Sequence, residues 1–212
     1  MFLHEDTPFP SVEASSPEGI VAYSGSLTTK RLLAAYKNGI FPWYNDGSPI
    51  LWWSPDPRMV LFPQKLHVSK NMRRMLRNQI YGVTYNQDFE SVINQCAHTY
   101  RKNEQGTWIH PEMIEAYTRL HRIGYAHSVE VWQQGTLVGG LYGVRIGNVF
   151  CGESMFSHAD NASHYGFITF VQQHQDIELI DCQVYTEYLE RLGAVEIPRK
   201  EYIGIISKQV LK

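Results

Sequence analysis

Three strand-like runs follow one another almost without a break: HSVEVW at 127–132, LVGGLYGVRI at 137–146 and NVFCGESMF at 148–156. The links between them, QQGT and IGN, are too short for anything but hairpins, because a parallel return needs a crossover of a dozen residues or more. This block is therefore an antiparallel meander, and the rest of the chain must be arranged around it. Pro111 at the first helical position opens a helix with Met113, Ile114, Tyr117, Leu120 and His121 on one face, closed by Gly124. After the meander come a helix over 161–175, a buried strand LIDCQV at 179–184, a helix ending at Gly193 and a segment opened by Pro198. Upstream, Ser69 caps a short helix to Asn78, GVTYN at 82–86 forms a strand, and a further helix covers 88–98.

The first 62 residues differ in character, since prolines recur through them and only one helix is clear, capped by Thr28 and stopped at Gly39. The predicted organisation is α+β, with a small N-terminal domain over 1–62 and a larger domain over 63–212 whose mixed, mainly antiparallel sheet is flanked by helices. GIFPWY at 39–44 and WWSPDPR at 52–58 bring three tryptophans between prolines, which argues against regular structure there. They suit either a hydrophobic plug between domains or the aromatic wall of a binding site.

A net charge of -2 excludes a protein that coats nucleic acid over its whole surface, so any such contact must be local. Lys70, Arg73, Arg74 and Arg77 fall at i, i+3, i+4 and i+7, one face of a helix, with no carboxylate between Gln64 and Gln87. That stripe is either a phosphate-binding face or plain charged surface. Cys96, Cys151 and Cys182 have no CxxC or zinc spacing, which fits buried thiols in a reducing compartment. No run of 18 apolar residues and no leader pattern occurs, so a cytoplasmic protein without membrane contact is expected.

Two carboxylates interrupt otherwise apolar strands, Glu153 and Asp181, and each needs a partner if it is buried. By the period of two, Asp181 and Gln183 share one strand face, and Ile180, Cys182 and Val184 the other. An acceptor beside an amide suits the holding of an amine, although a purely structural polar network has the same composition. No G-x-S-x-G elbow, HExxH pair or GxGxxG loop is present, which leaves catalysis by positioning.

The element order, helix, three strands, helix, strand, helix, resembles that of the Gcn5-related N-acetyltransferases. Where those enzymes cradle the coenzyme A pyrophosphate with glycines and a basic residue, this chain has SHADNASH at 157–164, so coenzyme A is not expected. More specifically, GIFPWY, PILWWSPDPR, GTWI, AHSVEVW, LVGGLYG, FCGESMFS and LIDCQV resemble the leucyl/phenylalanyl-tRNA-protein transferases over nearly the whole chain. The resemblance implies transfer of leucine or phenylalanine from aminoacyl-tRNA to a protein with N-terminal arginine or lysine, marking it for N-end rule proteolysis, by a cytoplasmic monomer using neither metal nor coenzyme A. It implies that Asp181 and Gln183 organise the amine attack and that Glu153 holds the acceptor's cationic group. It further implies that Trp52, Trp53 and Trp108 surround the terminal adenosine, and that Leu141, Phe150, Met155, Phe170 and Ile180 form the amino-acid pocket. Lys70, Arg73, Arg74 and Arg77 then become the tRNA-binding stripe. His164, in place of an expected lysine, Tyr188, in place of an expected histidine, and the end of the chain at Lys212 depart from the family pattern. Two other functions fit parts of the pattern: a Fem-like enzyme that passes amino acids from tRNA to cell-wall peptides, and an RNA-binding module without catalysis. On these roles, Asp181→Asn is expected to reduce turnover while the fold stays intact.

Overall fold

A computed structural model describes residues 1–4, 7–99 and 109–210. The meander is as expected. β6 (Ala126–Gln133), β7 (Thr136–Ile146) and β8 (Val149–Ser157) pair antiparallel in chain order, with β5 (Gly82–Tyr85) added on the outside of β6. β9 (Leu179–Gln183) returns parallel to β8 through helix α5 (Ala162–Gln173), as a parallel neighbour must. β4 (Arg58–Leu61) and β10 (Val195–Ile197) complete a seven-stranded sheet of order β10-β4-β9-β8-β7-β6-β5. The α+β class, with a small N-terminal region and a helix-flanked sheet, is the one anticipated.

The N-terminal region is itself a sheet of three strands, β1 (Ile20–Tyr23), β3 (Leu51–Trp53) and β2 (Phe41–Pro42), with β3 in the middle. The tryptophan segment thus forms a regular strand, contrary to its sequence reading. Pro42 sits on an edge strand, where a missing N–H costs no ladder bond, and β3 itself carries no proline. Arg58–Leu61, drawn into the small domain by the boundary at 62, pairs instead with β9 and β10 of the large sheet. All four of its residues are buried, Arg58 included, and a strand buried on both faces takes a place inside the sheet, with a neighbour on either edge.

Helices close both faces. α1 (Thr29–Lys37), α3 (Phe89–His98), α4 (Pro111–Arg122) and α7 (Arg199–Val210) enclose a core running from Leu32, Phe41 and Trp52 through Tyr142 and Val149 to Tyr202 and Ile206. α2 (Lys70–Arg77) and α5 cover the other face, where Met59, Leu141, Phe150, Phe167 and Ile180 pack together. α6 (Glu187–Arg191) follows β9. The N-caps read from Thr28 and Ser69 both form, and Asp88 caps α3 in the same way, each side chain accepting from a backbone N–H in the first turn.

Candidate active site

The site begins where two parallel strands part. β8 and β9 are in register from Val149 opposite Leu179 to Cys151 opposite Asp181, and there the pairing stops. Each strand then takes an extra residue. On β8, Gly152 faces Gly143 and Ser154 faces Tyr142, so Glu153 stands unpaired in a bulge. On β9, Asp181 faces Val60 and Gln183 faces Met59, which makes Cys182 the extra residue, and Gln183 adopts a left-handed φ of 65°. A bulge re-aims its side chains and reverses the alternation beyond it. Phe150 and Met155, an odd number of residues apart, can therefore line the same cavity. Gly143 permits the bulge, because a Cβ there would run into the Cys151 carbonyl oxygen and the Phe150 ring.

The cleft between the parted strands is a cavity of about 310 Å³. Leu141, Phe150, Met155, Phe167 and Ile180 supply its apolar wall, while Glu153, Asp181 and Gln183 lie at its polar end. Four of the five residues expected in the amino-acid pocket are thus brought together. The fifth, Phe170, is a correction: it is buried behind Phe150, ring centroids 4.7 Å apart, and does not reach the cavity. Phe167, three residues earlier on α5, does. The helical period alone could have placed Phe167 and Phe170 on one side of α5, but not decided which of them met the cleft.

Glu153 is held from three elements. The Tyr36 hydroxyl of α1 lies 2.8 Å from its Oε1, the Tyr117 hydroxyl of α4 lies 3.0 Å from its Oε2, and Gln183 Nε2 donates to Oε1 at 2.8 Å. The two tyrosine hydroxyls also contact one another. Burial pushes the Glu153 carboxyl up to about 8, with Asp181 pushing the same way and the hydrogen bonds opposing. Neither tyrosine was picked out as a site residue, since each looks like an ordinary apolar-face position of its helix.

Asp181 is fully buried and fully occupied. Arg58 donates from Nε to Oδ1 at 2.8 Å and from a terminal nitrogen to Oδ2 at 2.7 Å, the Tyr202 hydroxyl donates to Oδ2 at 2.8 Å, and the Gln183 backbone N–H donates to Oδ1 at 2.9 Å. Burial alone would lower the Arg58 guanidinium, but Asp181 outweighs it and holds it above its ordinary value. The alternation that put Asp181 and Gln183 on one face is overturned by the bulge: Asp181 turns into the core, and Gln183 turns to Glu153. Asp181 therefore fixes the loop that carries Gln183. Arg58 was legible only as a lone cation at the head of the apolar run RMVLF.

The aromatic platform needs a correction too. Trp52 is completely buried, its indole N–H donating 2.9 Å to the Ser24 carbonyl and its ring edge-on to Phe9, so it belongs to the core of the small sheet. Successive strand residues point oppositely, and Trp53 emerges on the other side. It donates 2.7 Å to the Trp43 carbonyl, and its ring lies 5.8 Å from that of Trp43, which lines the cavity. The ledge at the cavity is Trp43 with Trp53. Trp108 falls outside the described residues. His164 and Tyr188, the two departures from the family pattern, stack on each other with centroids 4.2 Å apart, beside the cavity that Tyr188 lines. Lys70, Arg73, Arg74 and Arg77 all lie exposed along α2, whose Met72 is buried beneath them. Among the described residues no three His, Cys, Asp or Glu side chains are gathered for a metal, and no helix is long and apolar enough to cross a membrane.

Two family models match the chain, leucyl/phenylalanyl-tRNA protein transferase over residues 60–207 and the N-terminal domain of the same family over 25–56. This chain belongs to the leucyl/phenylalanyl-tRNA-protein transferase family. Curated transferases of that name include one from Flavobacterium johnsoniae, 51% identical over 98% of this chain and 99% of the relative. Another, from Azotobacter vinelandii, is 54% identical over 92% of this chain and 87% of its own length. The Fem-like alternative is not favoured. Solved structures overlay only loosely, such as a GCN5-related N-acetyltransferase from Kribbella flavida (12% identical, covering 77% of this chain and 59% of that one, TM-score 0.36).

Proposed function

We propose that this transferase moves leucine or phenylalanine from its tRNA onto the N-terminal arginine or lysine of acceptor proteins, as a cytoplasmic monomer, with aminoacyl-tRNA as co-substrate and neither metal nor coenzyme A. The observation that carries the reading is an apolar cavity that ends on a glutamate and a glutamine at the parting of two strands. Leu141, Phe150, Met155, Phe167 and Ile180 take the aminoacyl side chain, whose transfer from water is favourable in proportion to the apolar area covered. Trp43 and Trp53 offer the terminal adenosine a stacking ledge at the mouth, and the cations of α2 take tRNA phosphates. Glu153 receives the acceptor's positive charge.

The chemistry asks little of the protein beyond geometry. An aminoacyl ester is already activated, and an α-amine with an ordinary value of about 8 needs to be neutral, oriented and close. The Gln183 side-chain oxygen is free to accept from that amine while its nitrogen is held by Glu153, and Asp181 fixes the backbone from which it projects. Attack on the ester carbonyl forms the peptide bond and releases the tRNA hydroxyl. Incubation with leucyl-tRNA and a peptide beginning with arginine is expected to add the mass of one leucine, and a glycine-headed peptide is expected to remain unmodified. Equal modification of both peptides, or transfer only to a muropeptide, contradicts the reading.

A further inference from the structure

Three oxygen-to-oxygen contacts join Glu153, Tyr36 and Tyr117: Tyr36 to Oε1, Tyr117 to Oε2, and Tyr36 to Tyr117. Each contact needs one proton, and two phenols bring only two. With a bare carboxylate, both hydroxyls turn to it and two lone-pair-bearing phenol oxygens are left pressed together with no proton between them. A third proton on Oε2 closes the ring: Oε2–H donates to Tyr117, Tyr117 donates to Tyr36, and Tyr36 donates to Oε1, which also accepts from Gln183 Nε2. Every hydroxyl proton of the ring then has an acceptor.

We infer that Glu153 rests as a neutral acid within a closed ring of hydrogen bonds with Tyr36 and Tyr117, and that it ionises only when the cationic acceptor enters, so that the two tyrosines are positioning residues for acceptor recognition. This rests on the proposed role of Glu153 toward the acceptor. On binding, the Oε2–H bond breaks, the proton leaves through the open cleft to the buffer, and the carboxylate pairs with the incoming cation. The groups packed around Glu153 favour such a resting state. Asp181 on β9 is negative, although its charge is matched by Arg58 of β4. Cys151 on β8, Tyr202 on α7, and Tyr36 and Tyr117 themselves are all raised by burial and stay neutral. No uncompensated cation faces the carboxyl from these elements among the described residues, and burial raises it to about 8. A carboxylate waiting unpaired here would be costly; a neutral acid that charges on demand is not. The same device discriminates, because an uncharged N-terminal side chain offers nothing to offset the loss of the ring proton.

Infrared spectra of the free protein, wild type minus Glu153→Gln, test the resting state without any substrate. The carbonyl stretch of a protonated carboxylic acid, shifted by deuterium, is expected at neutral pH and is expected to vanish with a midpoint near 8. Its absence at neutral pH overturns the inference. Removing either hydroxyl, as Tyr36→Phe or Tyr117→Phe, takes a donor from the ionised form, where hydrogen bonds are stronger, and so is expected to move the midpoint to higher pH. If one variant fails to fold, the other still reports; an unchanged midpoint in a folded variant overturns the positioning role, whereas a merely structural tyrosine would lower only the melting temperature. Saturating an arginine-headed peptide is expected to abolish the band at neutral pH, and a persistent band overturns ionisation on binding. Failure of leucine transfer in the mass assay would refute the acceptor reading instead, and would leave the ring proton standing.

Discussion

A carboxylate gripped at both oxygens by a buried guanidinium supports the cation as much as the cation supports it. Asp181 and Arg58 form such a pair, each side chain only 1% exposed. Asn in place of Asp181 keeps the shape but removes the charge, leaving Arg58 buried and unpaired, which typically costs about 3–5 kcal/mol. Asp181→Asn is therefore expected to melt well below the wild type and to lose transfer activity, in contrast to the intact fold expected from the sequence. Thermal and urea unfolding check this, and a wild-type melting temperature would contradict it. Both carboxylates could be picked out as anomalies in apolar strands, but their partners could not. Arg58 lies 123 positions from Asp181, and Tyr36 lies 117 from Glu153, so only the folded chain brings them within reach.

At the scale of single elements, a period is a strong guide until something interrupts it. α2 obeys its period throughout: Met72 is buried, the four cations are exposed, and Arg73 Nε turns back to the Val68 carbonyl at 3.0 Å. Arg73→Ala with Arg74→Ala is expected to weaken aminoacyl-tRNA binding and to flatten its salt dependence, by about 0.7–0.9 in logarithmic slope for each lost phosphate contact. Turnover at saturating tRNA is expected to survive. Filter-binding titrations across salt concentrations decide the matter, and an unchanged slope would remove the stripe from the interface. The strands β8 and β9 break their period instead, each by one bulged residue, and no residue type announces where a bulge falls. Assigning Asp181 and Gln183 to one face failed for that reason. Trp52 was misplaced by a related error, since a strand hidden among prolines still sends alternate side chains to opposite sides.

Over the whole molecule, the small and large sheets share one apolar core, and Arg58 and Arg199 fasten them. Arg58 reaches the Gly39 carbonyl at 3.2 Å and lies between the Phe41 and Tyr202 rings, while Arg199 donates to the Ser54 carbonyl at 2.7 Å and its backbone N–H to Asp56 at 3.0 Å. With the core continuous from Leu32 and Trp52 to Tyr202 and Ile206, the two sheets are expected to unfold together. Calorimetry is expected to give one transition whose calorimetric and van't Hoff enthalpies agree, and two resolved transitions would contradict it. The continuity also serves the site, because α1 of the small region delivers Tyr36 to a carboxylate of the large sheet.

By itself the sequence determined the antiparallel meander, the helix caps, the basic face of α2 and the presence of two carboxylates that demanded partners. Those features are local: a hairpin length, a capping side chain or a helical period is settled within a few residues. The tertiary structure alone decided that β4 joins the large sheet, that Glu153 and Cys182 bulge, that Phe167 rather than Phe170 meets the cavity, and that Tyr36, Tyr117 and Arg58 complete the site. Each of these depends on which distant surfaces come into contact, and the free energy that selects among them is the burial of shared apolar area with every polar group still paired, a property of the assembled layers and of no single segment.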